Sequence, residues 1–202
     1  MRTVAEHSPT KDKLLDAAQR LVLSKGFEGT TVDDICKEAK LTKGSFFHYF
    51  KSKDTLGLEL LKRYCGATKE HFVGCCAGVA DPLERLLAVL DYLIRRAKEM
   101  GKSGCLLGCM SQELAENHSW AQELSSDAFH RMSSAIAVDL ALAKKKYAPK
   151  ASFHPKELAD YWVSLLQGSI LISKIKKDPS VAATNLKYLK KHIQILFGKG
   201  HR

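Results

Sequence analysis

From Thr10 to Phe197 apolar side chains return every three or four residues, and no stretch keeps the two-residue alternation of a half-buried strand. That regularity restricts the chain to helices packed on helices. The first stripe is Leu14, Leu15, Ala18, Leu21 and Val22; it closes at Ser24-Lys25-Gly26, where glycine suits a left-handed helix stop and Phe27 folds back on the stripe. Thr30 and Thr31 ahead of Asp33 and Asp34 read as the capped start of a short second helix with Val32, Ile35, Cys36 and Ala39 inward. After Lys40-Leu41-Thr42 a third helix runs from Lys43 to about Phe50, and so tight a connection makes the two short helices cross steeply.

Ser52 caps a fourth helix carrying Leu56, Leu60, Leu61 and Tyr64 to about residue 73, and Gly74 to Gly78 break it. Asp81-Pro82-Leu83-Glu84 opens a fifth, with a cap, a proline at the first helical position and an acid three residues past the cap. Beyond the loop Gly101 to Gly104 come the helical stretch CLLGCMSQELAE, a break at Asn117-His118 and a long helix from Ser119 to about Lys146. Two last helices, Pro155 to about Lys176 and Pro179 to Phe197, each open with a proline.

Several classes of function are excluded. The polar start MRTVAEHSPTKDK has no apolar leader region, and no run approaches the ~20 apolar residues of a membrane helix, so no membrane partner is expected and the cytoplasm is the expected address. Six cysteines in 202 residues, none in paired C-x-x-C spacing, point to reduced thiols rather than a disulfide scaffold or a zinc site. A metal site from Cys105, Cys109 and His118 has no recognised ligand spacing, and no metal or cofactor is expected. There is no glycine-rich phosphate loop, no GxSxG, no HExxH and no Ser-His-acid grouping, which excludes the common enzymes. The net charge of +10 attracts polyanions, but it is spread: residues 1 to 63 hold 12 Lys and Arg against 9 Asp and Glu, the remainder 20 against 13.

The stretch KGSFFHYFKSK, Lys43 to Lys53, puts four aromatic rings and a histidine between lysines. At 100° per residue Phe46 and Phe50 share one face and belong to the core, packing against Leu14, Ile35 and Leu41. Gly44, Ser45 and His48 lie opposite, with Tyr49 toward one flank and Phe47 toward the other. A short amphipathic helix always has a polar face, but this one presents small and hydrogen-bonding groups between Lys43, Lys51 and Lys53, which suits a major groove with phosphates on either side. Capped helix, tight turn and helix of this kind make the helix-turn-helix arrangement, whose second helix enters the groove.

Residues 10 to 60 resemble the DNA-binding domain of the TetR (TetR/AcrR) family of bacterial transcription regulators. The resemblance rests on LLDAAQRLVLSKGFEGTTVDDICKEA and LTKGSFFHYFKSKDTL, with a Lys-Gly-x-x-x-x-x-Phe-x-x-Lys pattern across the recognition helix and the cap that follows. It implies a DNA-binding domain over residues 1–52 and a larger helical ligand-binding and dimerisation domain over 53–202, linked by helix four at about 53–73. It further implies that Thr42, Lys43, Gly44, Ser45, His48 and Tyr49 meet bases or phosphates and that Lys53 holds the DNA backbone. Thr31 would add a phosphate contact, although capping explains it as well. Phe47 stands where the family usually has tyrosine, so a phosphate hydrogen bond is missing and the ring packs or touches a sugar instead.

The same resemblance implies pairing with a second copy through the last two helices. On the penultimate helix Leu158, Tyr161, Trp162, Leu165, Ser169 and Ile172 form one stripe, while Ser164, Gly168 and Leu171 offer a low surface for close approach; the last helix repeats Leu186, Leu189, Ile193 and Leu196. Packing within one chain explains these stripes equally well. Phe72, Tyr92, Met110, Trp120, Phe129 and Trp162 are candidate walls of an effector pocket. Cys105 and Cys109 stand one helical turn apart, in a context similar to a subgroup of TetR regulators of which some respond to electrophiles or oxidants. A thiolate at a helix start is stabilised by the helix dipole, and Cys105 is the leading candidate sensor, against the plain alternative of small core residues. The expected protein is thus a homodimeric regulator, a repressor of a pseudo-palindromic operator with a small-molecule or electrophile effector; a non-specific nucleoid or architectural DNA binder is the alternative.

Overall fold

The computed structural model describes residues 8–199. Among them stand nine α-helices and no strand, as the apolar period requires: α1 (Pro9–Lys25), α2 (Val32–Ala39), α3 (Lys43–Tyr49), α4 (Lys53–Cys75), α5 (Pro82–Ser103), α6 (Leu106–Leu114), α7 (Ser119–Tyr147), α8 (Pro155–Lys176) and α9 (Ser180–Leu196). Their ends have local causes. Gly26, at φ +83°, stops α1 and sends its amide to Val22 O. Thr31 Oγ1 accepts from Asp34 N at 3.1 Å while the Asp34 carboxylate accepts from Thr31 N at 3.0 Å, a reciprocal cap that starts α2. Asp81 caps α5 by accepting from Leu83 N and Glu84 N, each at 3.0 Å. Lys40, at φ +56°, supplies the left-handed residue that ends α2 and turns the chain toward α3.

Contacts divide the chain into two compact units, the first comprising the chain up to Gly66 with Leu106–Leu124, the second Ala67–Cys105 with the chain from Ser125 onward. The boundary expected at residue 52 lies inside the first. There, α1 packs on α2, α3 and α6. Leu14, Ile35, Phe46, Leu56, Leu60 and Leu61 are fully buried, and Phe50 closes against Phe46 with ring centroids 5.6 Å apart. Burying each such side chain contributes about 1.5–3 kcal/mol. Phe27 folds back as its sequence position suggests, and Gly57 makes room for it: a Cβ there would stand 2.6 Å from the Phe27 ring and 3.1 Å from Trp120.

In the second unit α5, α8 and α9 pack on one another around Leu83, Leu90, Trp162, Ile170, Leu186 and Ile193. Two expectations need correction here. Leu186, Leu189 and Ile193, assigned to pairing with a second copy, are 0%, 1% and 0% exposed within a single chain, and Leu196 packs half-buried on the same core. The three-four repeat of α9 serves its own chain because it faces α5. On α8 the buried stripe is Leu158, Ala159, Trp162, Val163, Leu166, Ser169, Ile170 and Ser173. Tyr161, Ser164, Leu171 and Ile172 are therefore exposed, with Leu165 and Gly168 half-buried beside them.

Candidate nucleic-acid interface

The candidate interface is built on α3 and the residues that open α2 and α4. Thr42 caps α3 by accepting from Ser45 N at 3.1 Å, and its hydroxyl lies 3.0 Å from Ser45 Oγ. Gly44 is exposed, and a Cβ added to it would approach only the Thr42 hydroxyl, at 3.6 Å. His48 is exposed and meets the Tyr49 ring edge-on at 4.7 Å, while Tyr49 Oη and Ser8 Oγ lie within hydrogen-bond distance at 2.7 Å. Phe46 and Phe50 point inward and Phe47, 55% exposed, points out, so the rings divide as the helical angles require.

The cations are less uniform. Lys43 is mostly exposed and pairs with Asp33 at 2.7 Å; that hydrogen bond is the main reason its ammonium is pushed above the usual lysine range. Lys53 turns inward. Its Nζ donates to Phe27 O at 3.1 Å, lies 3.4 Å from a Glu28 carboxylate oxygen and sits 4.6 Å from the centroid of the Phe27 ring. Thr31 Oγ1 is exposed but used by the α2 cap.

One residue of this neighbourhood has no sequence signal. Glu113 of α6 accepts from Phe27 N at 2.7 Å and Glu28 N at 2.8 Å, fixing the turn whose Phe27 carbonyl holds Lys53. It comes more than eighty positions later, and nothing local marks it. His118 adds to the same turn through Glu28, at 3.2 Å from its Nε2.

The residues expected to wall an effector pocket are divided between the two units. Cys109, Met110 and Trp120 belong to the first unit; Phe72, Tyr92, Cys105, Phe129 and Trp162 belong to the second. Met110 and Trp162, 0% and 1% exposed, are core. Phe72 and Tyr92 pack edge to face with centroids 5.9 Å apart and lie against the second unit's core. Large rings and sulfur fill space as readily as they line it. A cleft of about 600 Å³ does open between α7 and α8, and of the expected wall residues only Phe129 lines it; the others are His130, Ser133, Ser134, Ala137, Lys156, Asp160, Val163 and Ser164.

A capped α2, a left-handed turn at Lys40 and a short α3 with Phe46 in the core, Gly44 and His48 exposed and Ser45 half-buried define a helix-turn-helix DNA-binding protein. Residues 14–60 match the model of the bacterial regulatory proteins, tetR family, and residues 82–189 match that of the tetracyclin repressor-like C-terminal domain. The chain belongs to the TetR family of transcriptional regulators, which are not enzymes. It is 27% identical over 187 residues, 90% of this chain and 91% of the relative, to an uncharacterised HTH-type transcriptional regulator from the lacX 3' region of Lactococcus lactis. It is 31% identical to the HTH-type transcriptional repressor NemR of Escherichia coli K12 over 118 residues, 57% of this chain and 59% of the relative. Among solved structures, regulatory protein TetR from Rhodobacter sphaeroides superposes with a TM-score of 0.80 at 25% identity, covering 92% of this chain and 99% of the other. The reduced form of E. coli NemR shares the fold at a TM-score of 0.77 and 24% identity, over 91% of this chain and 96% of the other.

Proposed function

We propose that the protein is an effector-responsive repressor that binds a pseudo-palindromic operator as a homodimer, its two α3 helices entering successive major grooves. The observation that carries this is the face of α3. Gly44, Ser45 and His48 stand away from the core on a helix opened by Lys43 and followed by Lys51, so small and hydrogen-bonding groups front the bases and cations front the phosphates. Thr42, Tyr49, Phe47 and Thr31 would add contacts to the DNA backbone or bases around that face. Lys53 joins it by exchanging Phe27 O for a phosphate oxygen. Residues 1–52 would carry the DNA contacts and 53–202 the response to effector and the pairing.

Pairing is supported by a seam of exposed apolar residues. On α8 Tyr161, Leu171, Ile172 and Ile175 are 46%, 43%, 43% and 71% exposed, around Ser164 and Gly168, and α9 adds Tyr188 and Ile195 at 69% and 56%. Two such pairs of helices make a four-helix interface that covers what one chain leaves bare. The mechanism is geometric: half-sites one turn apart, about 34–36 Å, demand a matching distance between recognition helices, and an effector needs only to favour the mismatched state.

Selection of short sequences from a random DNA pool, followed by competition at fixed salt, tests this reading. A specific regulator prefers one short palindrome over random DNA by about 10³ or more. Equal affinity for both would leave the architectural binder instead. Within this reading Cys105 is the candidate sensor. It directly precedes α6, and Gln167 Nε2 reaches its sulfur at 3.7 Å. Cys105→Ser should abolish the loss of operator binding caused by a mild electrophile, and an unchanged response would remove Cys105 from that role.

A further inference from the structure

Cys75 is the last residue of α4 and Cys76 follows at once, with their sulfurs 3.9 Å apart. Neither thiol belongs to the DNA-facing helix or to the pairing seam. Both are partly exposed. The Cys75 thiol donates to Phe72 O at 3.2 Å, and the Cys76 thiol to Arg85 O at 3.8 Å. Arg85 also fixes the chain just beyond the pair: its guanidinium donates to Val79 O at 3.3 Å and Ala80 O at 2.8 Å while its Nε holds both Asp139 carboxylate oxygens, at 3.1 and 3.0 Å.

We propose that Cys75 and Cys76 form a bidentate site for a monosubstituted trivalent arsenical, held by both sulfurs at once. The donor set selects this occupant. No group of three or more His, Cys, Asp or Glu that could hold a metal ion occurs among the described residues, whereas a structural zinc takes four ligands. A monosubstituted arsenical brings its own carbon ligand and asks the protein for two. A linear ion would set its sulfurs at opposite ends of two bonds of about 2.3 Å each, further apart than this pair stands. Oxidation to a disulfide is also disfavoured, because adjacent α-carbons lie about 3.8 Å apart and disulfides span about 4.4–6.8 Å.

The protonation state fits the same chemistry. Burial, and then the neighbouring Cys75, push the Cys76 thiol up to about 11. Such a thiol attacks carbon electrophiles poorly at neutral pH, because the thiolate is the nucleophile. Condensation with an arsenic oxide needs the thiol protons as leaving partners. Two S–As bonds form, the arsenic–oxygen bond breaks, and the oxygen departs as one water carrying both protons, with arsenic trivalent throughout. Capture also removes the proton that Cys75 donates to Phe72 O, so the last turn of α4 loses that bond.

The test uses the full chain and phenylarsine oxide, with adducts counted by intact mass as a monothiol competitor is added. The second sulfur acts at an effective concentration of about millimolar or above, so the unmodified chain should hold one phenylarsenic until the monothiol reaches about that level. Cys75→Ser and Cys76→Ser should each release it at about 10²-fold less monothiol, and Cys105→Ser and Cys109→Ser should not change retention. Cys75→Ala, and helicity measured on every variant, separate lost chelation from lost fold. Retention by either serine variant at Cys75 or Cys76, or loss in the Cys105 or Cys109 variants, overturns the proposal. Operator binding on the same samples without arsenical reports separately on the regulator reading, which this site does not require.

Discussion

Two side chains on α3 and at the start of α4 occupy different environments, and the difference sets what their removal should do. Lys53 has a carbonyl, a carboxylate and a ring around its ammonium, whereas His48 is exposed and meets the edge of Tyr49. Lys53→Ala should weaken binding to all DNA sequences and lower the slope of log K against log salt by about one. His48→Ala should change which bases are preferred and leave the slope alone, and a salt titration on selected and random duplexes checks both. Acid sensitivity has a residue-level source too. The Lys25 ammonium at 2.6 Å, then the Thr31 amide and hydroxyl, hold the Asp34 carboxyl well below the usual carboxylate range. A carboxylate depressed on folding stabilises above its unfolded pKa of about 3.9 and loses that contribution as pH falls through the folded value. Asp34→Asn should therefore show a shallower loss of helicity than the parent as pH is lowered below about 4.

Helices differ in what their apolar stripes are for, and periodicity does not say. α8 and α9 each show three-four spacing over the whole length, but Leu186 of α9 is 0% exposed and Leu171 of α8 is 43% exposed. Leu171→Glu should shift a dimer toward monomer with the helical content kept, read by sedimentation and circular dichroism. Leu186→Glu should unfold the second unit, because it buries a charge without a partner. The helices, their caps and the division of rings on α3 were legible because each depends on neighbours within four positions. What was not legible depends on distant partners: which stripe of α9 faces α5, the inward turn of Lys53 toward Phe27, and the burial of Trp162 in the core of the second unit. Glu113 is the clearest such case. Glu113→Ala should destabilise the first unit by about 1–3 kcal/mol, since two backbone donors lose a charged acceptor, and denaturant unfolding followed through Trp120 would show it.

Taken as a whole, the chain carries +10 of net charge without concentrating it on α3. On the proposed reading, a preference for one DNA site would come from the α3 face and from the distance between two copies of it, with the general charge serving to speed encounter. The first unit is also discontinuous along the chain: the turn after α1 is tied by Glu113, and Phe27 meets Trp120 with ring centroids 6.1 Å apart. A fragment ending at Gly66 should therefore expose Phe27 and two untied amides, and show broader thermal unfolding than the same helices in the full chain. During synthesis the turn after α1 must wait, untied, until Glu113 and Trp120 have cleared the ribosome, when more than half of the chain has been made.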